Sequence, residues 1–142
     1  MEESGNLSIF PAATIRVSSK DGEELSLVML IDSGATISGM PKHIAPLLGI
    51  NLKKGKPLRV FGVQGTYVRA WRHDISVQIG KNILKLPMAF LDDEHAPRVL
   101  GREGIFDHFT VAFTETERCS ALFANETNEA QAINAMVSKL DS

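Results

Sequence analysis

A single acidic residue, Asp32, constrains this chain more than any other feature, because it comes directly after an apolar run. Residues Leu25 to Ile31 become apolar on both faces toward the end of that run, as in a buried strand. An acid beside a buried strand is costly unless other groups hold it. Ser33, Gly34 and Ala35 follow at once, and small residues let other backbone approach closely. The pattern indicates either a plain Asp-Ser-Gly turn or a carboxylate that is held for chemistry.

Apolar alternation predicts that most of the chain folds as β-strands. Asp21-Gly22 is a turn signal between the first two strands, and glycines separate the later ones. Pro87 favours an edge position for its strand, since proline cannot donate a backbone hydrogen bond. The predicted strands are Ala13–Ser18, Leu25–Ile31, Leu58–Val63, Thr66–Trp71, Ile75–Ile79, Leu84–Phe90, Thr110–Thr114 and Ser120–Ala124.

Helical signals are few. Pro41 to Leu48 predicts a short helix that Gly49 would end, and Val99 to Phe109 predicts a short helical stretch. Apolar residues recur at helical spacing after residue 125. We therefore expect a loose leader over residues 1–10, one folded domain over 11–124 and a helical tail over 125–142.

Composition excludes several classes of protein. The chain has 142 residues, of which 44% are hydrophobic, and a formal charge of −2, as expected for one globular domain. One cysteine, Cys119, excludes an intramolecular disulfide framework, and the four histidines lack metal-ligand spacing, so no metal is expected. The start has no secretory signal, and the apolar run Leu27–Ile31 is too short to cross a bilayer. These features predict a cytoplasmic protein without a membrane partner.

Basic residues cluster before the predicted glycine hairpin, at Lys53, Lys54, Lys56 and Arg59. We interpret this cluster as a solvated loop and expect no nucleic-acid partner, because no aromatic residues are interleaved with the lysines. Tyr67 and Trp71 lie farther on, on one face of the second hairpin strand, where we expect them either to pack at the base of the hairpin or to line a pocket.

The order of features along the chain changes how Asp32 is interpreted. The chain runs from a buried strand through Asp32-Ser33-Gly34-Ala35 to a glycine hairpin, and later to Val99-Leu100-Gly101-Arg102. In these motifs, over about residues 12–114, the sequence resembles the retropepsin-like aspartic proteases. The stretch Gly104 to Val111 is similar to their bacterial, stand-alone branch.

The resemblance implies a fold and a reaction. The fold is all-β, a closed barrel with one or two short helices and here a C-terminal helical tail, forming a two-fold homodimer. The chain has one Asp-Ser-Gly motif, so the reaction centre would pair Asp32 with Asp32 of a second copy. Such paired carboxylates share one proton, activate a water and hydrolyse a peptide bond. The resemblance implies no metal and no cofactor, and a peptide or protein substrate bound as an added strand.

Further residues take roles through the same resemblance. Those expected to support the active-site loop are Ser33, Gly34, Ala35, Gly101 and Arg102. Those expected to form a flap over the substrate are Gly62, Val63, Gln64 and Gly65. The hydroxyl of Ser33 would tie the two active-site loops together, and Gly101 would let two segments cross near Asp32.

The chain also departs from the retroviral pattern. Thr36 stands where the retroviral members carry an acid that pairs with the arginine equivalent to Arg102, so the partner of Arg102 is open. The tail over 125–142 also prevents the retroviral dimer contacts from being carried over. The alternative is a non-catalytic module that binds peptides or dimerises on the same fold. A lesser alternative is a retroelement-derived domain within a longer polyprotein.

Overall fold

The computed structural model describes residues 11–19, 21–61, 65–114 and 119–124, apart from the side chains beyond Phe109. The expected leader (1–10) and the expected helical tail (125–142) lie outside the described residues.

Nine strands make up most of this part of the chain. Seven form one sheet in the order β1-β2-β7-β3-β6-β5-β4, and β8 pairs with β9. One further bridge, Arg16 with Gln78, joins β1 to β5. The strands are β1 Ala12–Ser18, β2 Glu24–Ile31, β3 Ser38–Pro41, β4 Lys56–Phe61, β5 Tyr67–Ile79, β6 Asn82–Leu91, β7 Val99–Leu100, β8 Phe109–Thr114 and β9 Cys119–Ala124.

The core forms where the alternating apolar faces of these strands meet, as the sequence pattern predicts. Ile75, Val77 and Ile79 on β5 lie on the same side of the sheet as Leu86 on β6, which pairs with Ile75. All four side chains are buried. Each such side chain contributes about 1.5–3 kcal/mol when it is removed from water. The other buried apolar residues of this cluster are Ile15, Val17, Met29, Ile31, Met40, Ile44, Ala45, Leu48, Met88, Phe90, Leu100, Ile105 and Phe109.

The first predicted helix is confirmed as a 3₁₀ helix over Lys42–Leu48. It begins after Pro41, because Pro41 is the last residue of β3 with an extended ψ of 145°. It ends at Gly49, whose φ of 71° is left-handed and whose N–H bonds to the carbonyls of Ala45 and Pro46. A second 3₁₀ turn covers Leu52–Lys54.

The helical stretch expected from Val99 to Phe109 is wrong at its start. Val99 and Leu100 form the short strand β7, which pairs in parallel with Leu30 and Ile31 of β2. The helical turn covers only Arg102–Phe106, and it is interrupted because Gly104 has a φ of 87°. Pairing with a remote strand therefore overrides the local helical pattern.

Three further differences concern strands. β3 is not expected from the sequence, and β5 is one continuous strand where two were expected. β6 is an interior strand and not an edge strand, which corrects the expectation based on Pro87. Its pairing with β3 begins only at Met88, and the Arg102–Phe106 turn packs beside the proline instead. A Cβ on Gly104 would lie 3.0 Å from the Pro87 ring.

Candidate active site

Asp32 lies where β2 ends. Ile31 is buried and pairs with Leu100 of β7, and the backbone N–H of Asp32 donates to the Leu100 carbonyl at 3.0 Å. The side chain of Asp32 is exposed. The parallel ladder therefore carries the acid to the surface and holds its backbone there.

The loop after Asp32 is a tight turn that also orients the carboxylate. The N–H of Ala35 donates to the Asp32 carbonyl at 3.1 Å, and the N–H of Gly34 donates to Asp32 Oδ1 at 2.9 Å. The turn therefore positions one carboxylate oxygen and keeps Ser33, at its tip, exposed.

A second segment crosses behind this loop. The N–H of Arg102 donates to the Ala35 carbonyl, and the N–H of Glu103 donates to the Thr36 carbonyl, both at 2.9 Å. Gly101, which precedes Arg102, is buried where the two segments cross. A Cβ on Gly101 would lie 2.6 Å from the carbonyl carbon of Ile37. Real Cβ atoms do not approach that closely, so only glycine fits without a backbone shift.

Ser38 is part of this arrangement, although the sequence did not single it out. Its side chain is completely buried, and its Oγ accepts the N–H of Gly101 at 3.0 Å. A buried N–H needs such an acceptor, because leaving it unpaired is costly. The only local signal is a serine between apolar neighbours in Ile37-Ser38-Gly39-Met40. Its partner lies 63 residues away and leaves no trace in the local sequence.

The side chain of Arg102 lies beside the hydroxyl group of Thr36. Its Nη2 lies 3.5 Å from Thr36 Oγ1, at the outer limit of a hydrogen bond. No ion pair of Arg102 occurs within the described ranges. The neighbouring Glu103 instead accepts a 3.1 Å bond from Nη2 of Arg72 on β5. Nε of the same arginine lies 3.6 Å from Asp74 Oδ1. This ion-pair cluster links β5 to the segment that backs the Asp32 loop.

The expected flap region is a hairpin of β4 and β5. Phe61 pairs with Tyr67, and Gly65 between them has a left-handed φ of 80°. Gly62, Val63 and Gln64 lie outside the described residues. The structure therefore describes the two strands of this hairpin and not its tip.

Directly after β6, the carboxylate of Asp92 forms ion pairs with two cations. Its carboxylate lies 2.7 Å from Lys42 Nζ and 3.4 Å from Arg69 Nη2. Hydrogen bonds from Lys42 first, and from Arg69 second, lower the pKa of Asp92 below its ordinary value. Within the described part of the chain, no cluster of three or more His, Cys, Asp or Glu side chains could hold a metal ion. No helix in that part has the length and apolar character needed to cross a bilayer.

Comparison with known proteins shows the fold. No family model matches the chain, and no curated protein matches it. Chains of solved structures do match, 177 in number. One is the EIAV protease complexed with the inhibitor HBY-793, with a TM-score of 0.54 and 20% sequence identity. The match covers 73% of this chain and 92% of that one. The chain thus has a retropepsin-like fold, mostly β with few helices.

Proposed function

We propose that this chain is an aspartic endopeptidase in which Asp32 of two copies forms the reaction centre. One observation carries the proposal. On a retropepsin-like fold, an exposed aspartate ends a buried strand, and backbone hydrogen bonds to Leu100 and from Arg102 hold its loop in place. A plain surface turn needs no such support from a segment about 70 residues away, so the arrangement fits an acid that is held for catalysis.

The chemistry explains why two copies are needed. Two carboxylates side by side cannot both ionise, so the pair holds one proton, as is known for the dyads of aspartic proteases. The ionised carboxylate takes a proton from a water, and the oxygen of that water attacks the peptide carbonyl carbon. The protonated carboxyl group donates its proton to the carbonyl oxygen. The C–N bond then breaks as the protonated carboxyl group gives its proton to the leaving nitrogen. The other carboxylate takes a proton from a hydroxyl of the tetrahedral intermediate, which restores the one shared proton.

The remaining residues take supporting parts in the proposal. Gly34 and Ala35 shape the turn beside Asp32, Gly101 permits the crossing behind it, and Ser33 would bond across the dimer. The β4–β5 hairpin, with Gly62, Val63, Gln64 and Gly65, would close over an extended peptide and exclude water. Main-chain hydrogen bonds would hold that peptide as an added strand.

The proposal also covers the finer points of architecture. The bridge between Arg16 and Gln78 supports a sheet that closes as a barrel, because it joins β1 to β5. A two-fold homodimer supplies the second Asp32. The protease domain would span residues 11–124, and the stretch Gly104 to Val111 favours the bacterial branch.

Asp32→Asn tests the reaction, with Asp21→Asn as a matched control at another exposed aspartate. Cleavage of unfolded casein is followed across pH by mass spectrometry of the products. We expect Asp32→Asn to lose about a hundredfold or more in rate, as the loss of general acid–base catalysis implies, while Asp21→Asn keeps the wild-type rate. A variant that folds, dimerises and still cleaves would contradict the proposal.

Mixing the subunits tests whether the centre is shared. After exchange in a 1:1 mixture of wild-type and Asp32→Asn chains, random pairing leaves about a quarter of the dimers fully wild-type. The activity per total chain should fall to about a quarter of the unmixed value. A fall to about half would instead mean that each chain acts alone.

The second candidate is a non-catalytic module of the same fold. Thr36 favours it, because Arg102 meets a hydroxyl at 3.5 Å where an acid would hold it more firmly. Such a module would bind or dimerise and would cleave no peptide at any pH. Light scattering that shows a dimer, together with intact peptides throughout a library screen, would identify it.

A further inference from the structure

One face of the β4–β5 hairpin carries a row of aromatic and cationic side chains that take no part in the chemistry proposed at Asp32. Residues directly opposite each other on paired strands share a face, and so do alternate residues along each strand. The register therefore brings the two sets together on one surface, which we call the Arg–aromatic face. Its members are Pro57, Arg59, Phe61, Tyr67, Arg69 and Trp71.

Phe61 and Tyr67 on this face are exposed, Trp71 is half-buried, and Tyr67 and Trp71 each lie against an arginine. Phe61 is 67% exposed and Tyr67 is 49% exposed, and their ring centroids lie 6.0 Å apart. The guanidinium of Arg59 lies 4.7 Å from the centre of the Tyr67 ring, and that of Arg69 lies 5.6 Å from the centre of the Trp71 ring. Flat, electron-rich rings and flat guanidinium groups thus alternate along the surface.

The charge of this region differs from that of the whole chain. Residues 33–73 contain seven Lys and Arg and no Asp or Glu, whereas the whole chain has a formal charge of −2. Asp92 neutralises part of this charge through Arg69 and Lys42. In the part of the chain that the structure describes, no ion pair involves the following exposed cations: Lys53, Lys54, Lys56 and Arg59. Of these, Arg59 lies on the Arg–aromatic face, and the three lysines lie at and just before the start of β4, so this region is complementary to a polyanion.

We propose that the Arg–aromatic face binds single-stranded nucleic acid without sequence preference. Bases stack on exposed aromatic rings and on guanidinium planes, and Arg59 on this face, with the exposed lysines at and before the start of β4, pairs with the phosphates. Tyr67 and Trp71 are separated by about 13 Å along β5, which suits a short run of unpaired nucleotides.

An acidic peptide is the competing occupant. Its carboxylates would pair with Arg59 and the lysines but would leave the faces of Phe61, Tyr67 and Trp71 without a planar partner. A single strand uses both the charge and the rings, so the observations favour it. From the sequence we expected no nucleic acid, because the lysine cluster lacked interleaved aromatics. The pairing of β4 with β5 supplies those aromatics from the opposite strand.

Trp71 provides a direct readout, because it is the only tryptophan in the chain. The full chain is titrated with an oligothymidylate of about ten nucleotides while the fluorescence of Trp71 is recorded. We expect saturable quenching and an affinity that falls with salt. The slope of log K against log salt should be about −2 to −3, as for three or four phosphate contacts on a single strand.

Matched variants assign the binding to this face. Phe61→Ala should weaken binding about tenfold, while Ile83→Ala, at a residue that is 74% exposed on the other hairpin, should change it less than about twofold. Arg59→Ala is compared with Lys85→Ala, which removes one exposed cation elsewhere. Arg59→Lys keeps the positive charge but removes the planar guanidinium group. We therefore expect an affinity between those of Arg59→Ala and wild type.

Four results would overturn the proposal. These are an absence of quenching, an equal loss in the Lys85→Ala and Arg59→Ala variants, duplex DNA that binds as tightly as the single strand, and poly-glutamate that binds as tightly as the oligonucleotide. The last result would identify a surface for acidic proteins. Because none of these measurements reads peptide cleavage, they stand or fall independently of the proposed protease activity.

Discussion

The Asp32 loop and the outer end of the β4–β5 hairpin are held in opposite ways. Backbone groups about 70 residues away hold the loop, and Gly101 leaves no space there for a single added carbon. The hairpin is held by pairing between neighbours in sequence, and its side chains face solvent. The first region has geometry that few substitutions preserve. The second can change its surface chemistry while its backbone stays the same.

Gly101→Ala should produce the largest effect. The new Cβ would lie 2.6 Å from the carbonyl carbon and 2.7 Å from the carbonyl oxygen of Ile37, so the backbone must move. We expect a loss of about 3 kcal/mol in the free energy of unfolding, measured by urea titration. The control is Gly65→Ala in the hairpin, where nothing lies within 4 Å and only the φ of +80° resists the change. It should cost about 1 kcal/mol. Equal losses of unfolding free energy in the two variants would show that close backbone contact at Gly101 does not make the Asp32 region less tolerant than the hairpin.

Ser38→Ala should have the next largest effect. It leaves the buried N–H of Gly101 without its acceptor, which should cost about 2 kcal/mol in the free energy of unfolding. Ser76→Ala removes an exposed hydroxyl from β5 and should stay within about 0.5 kcal/mol of wild type. If Ser38→Ala is as stable as Ser76→Ala, the hydroxyl does not hold the crossing segment.

The ion pair between Arg72 and Glu103 joins the base of the hairpin to the segment behind the Asp32 loop, and a double-mutant cycle measures their coupling. Its atoms are 3.1 Å apart and both side chains are partly exposed, so we expect a coupling of about 0.5 kcal/mol. The cycle for Arg16 and Glu24, at 3.9 Å and with greater exposure, should give a value close to zero. A larger coupling for the second pair would show that the link is not specific.

The smallest expected effect is a pH-dependent change in stability that comes from Asp92. Hydrogen bonds from Lys42 and Arg69 hold the pKa of Asp92 below its ordinary value in the folded chain. A lowered folded pKa contributes stability above the ordinary pKa of about 4, and this contribution is lost as the pH falls below it. Asp92→Asn should therefore be less stable than wild type at pH 6, and the difference should shrink toward pH 3. A difference that does not change with pH would contradict the assigned cause.

Most strands could be predicted because their signals are local. The alternation of Ile75, Val77 and Ile79 and the turn at Asp21-Gly22 each lie within a few residues, and the structure confirms both strands concerned. β3 has no such signal. Its four residues are all buried and include glycine and proline, and its partners are Met88–Leu91 and Val99. β3 forms because it pairs with strands that are remote in the sequence, and no local pattern reveals that pairing.

The same limit applies to the site. The position of Asp32 at the end of an apolar strand could be predicted from neighbouring residues alone. The acceptor function of Ser38 and the approach of Arg102 to Thr36 depend on pairs 63 and 66 residues apart. The fused strand β5 has a similar origin, because His73 and Asp74 resemble a break but pair with Met88 and Pro87. Chemistry near Asp32 is thus visible in the sequence, whereas the support behind it is not.

A chain still growing on the ribosome contains Asp32 long before it contains the segment from Arg98 to Glu103 that holds the loop. Contacts between such distant residues form late, since closing a long loop is entropically costly. The loop thus gains its backbone partners at Leu100, Arg102 and Glu103 only after a segment about 70 residues further along the chain has emerged. Under the proposed function, an incomplete copy therefore lacks the support that its half of the reaction centre needs.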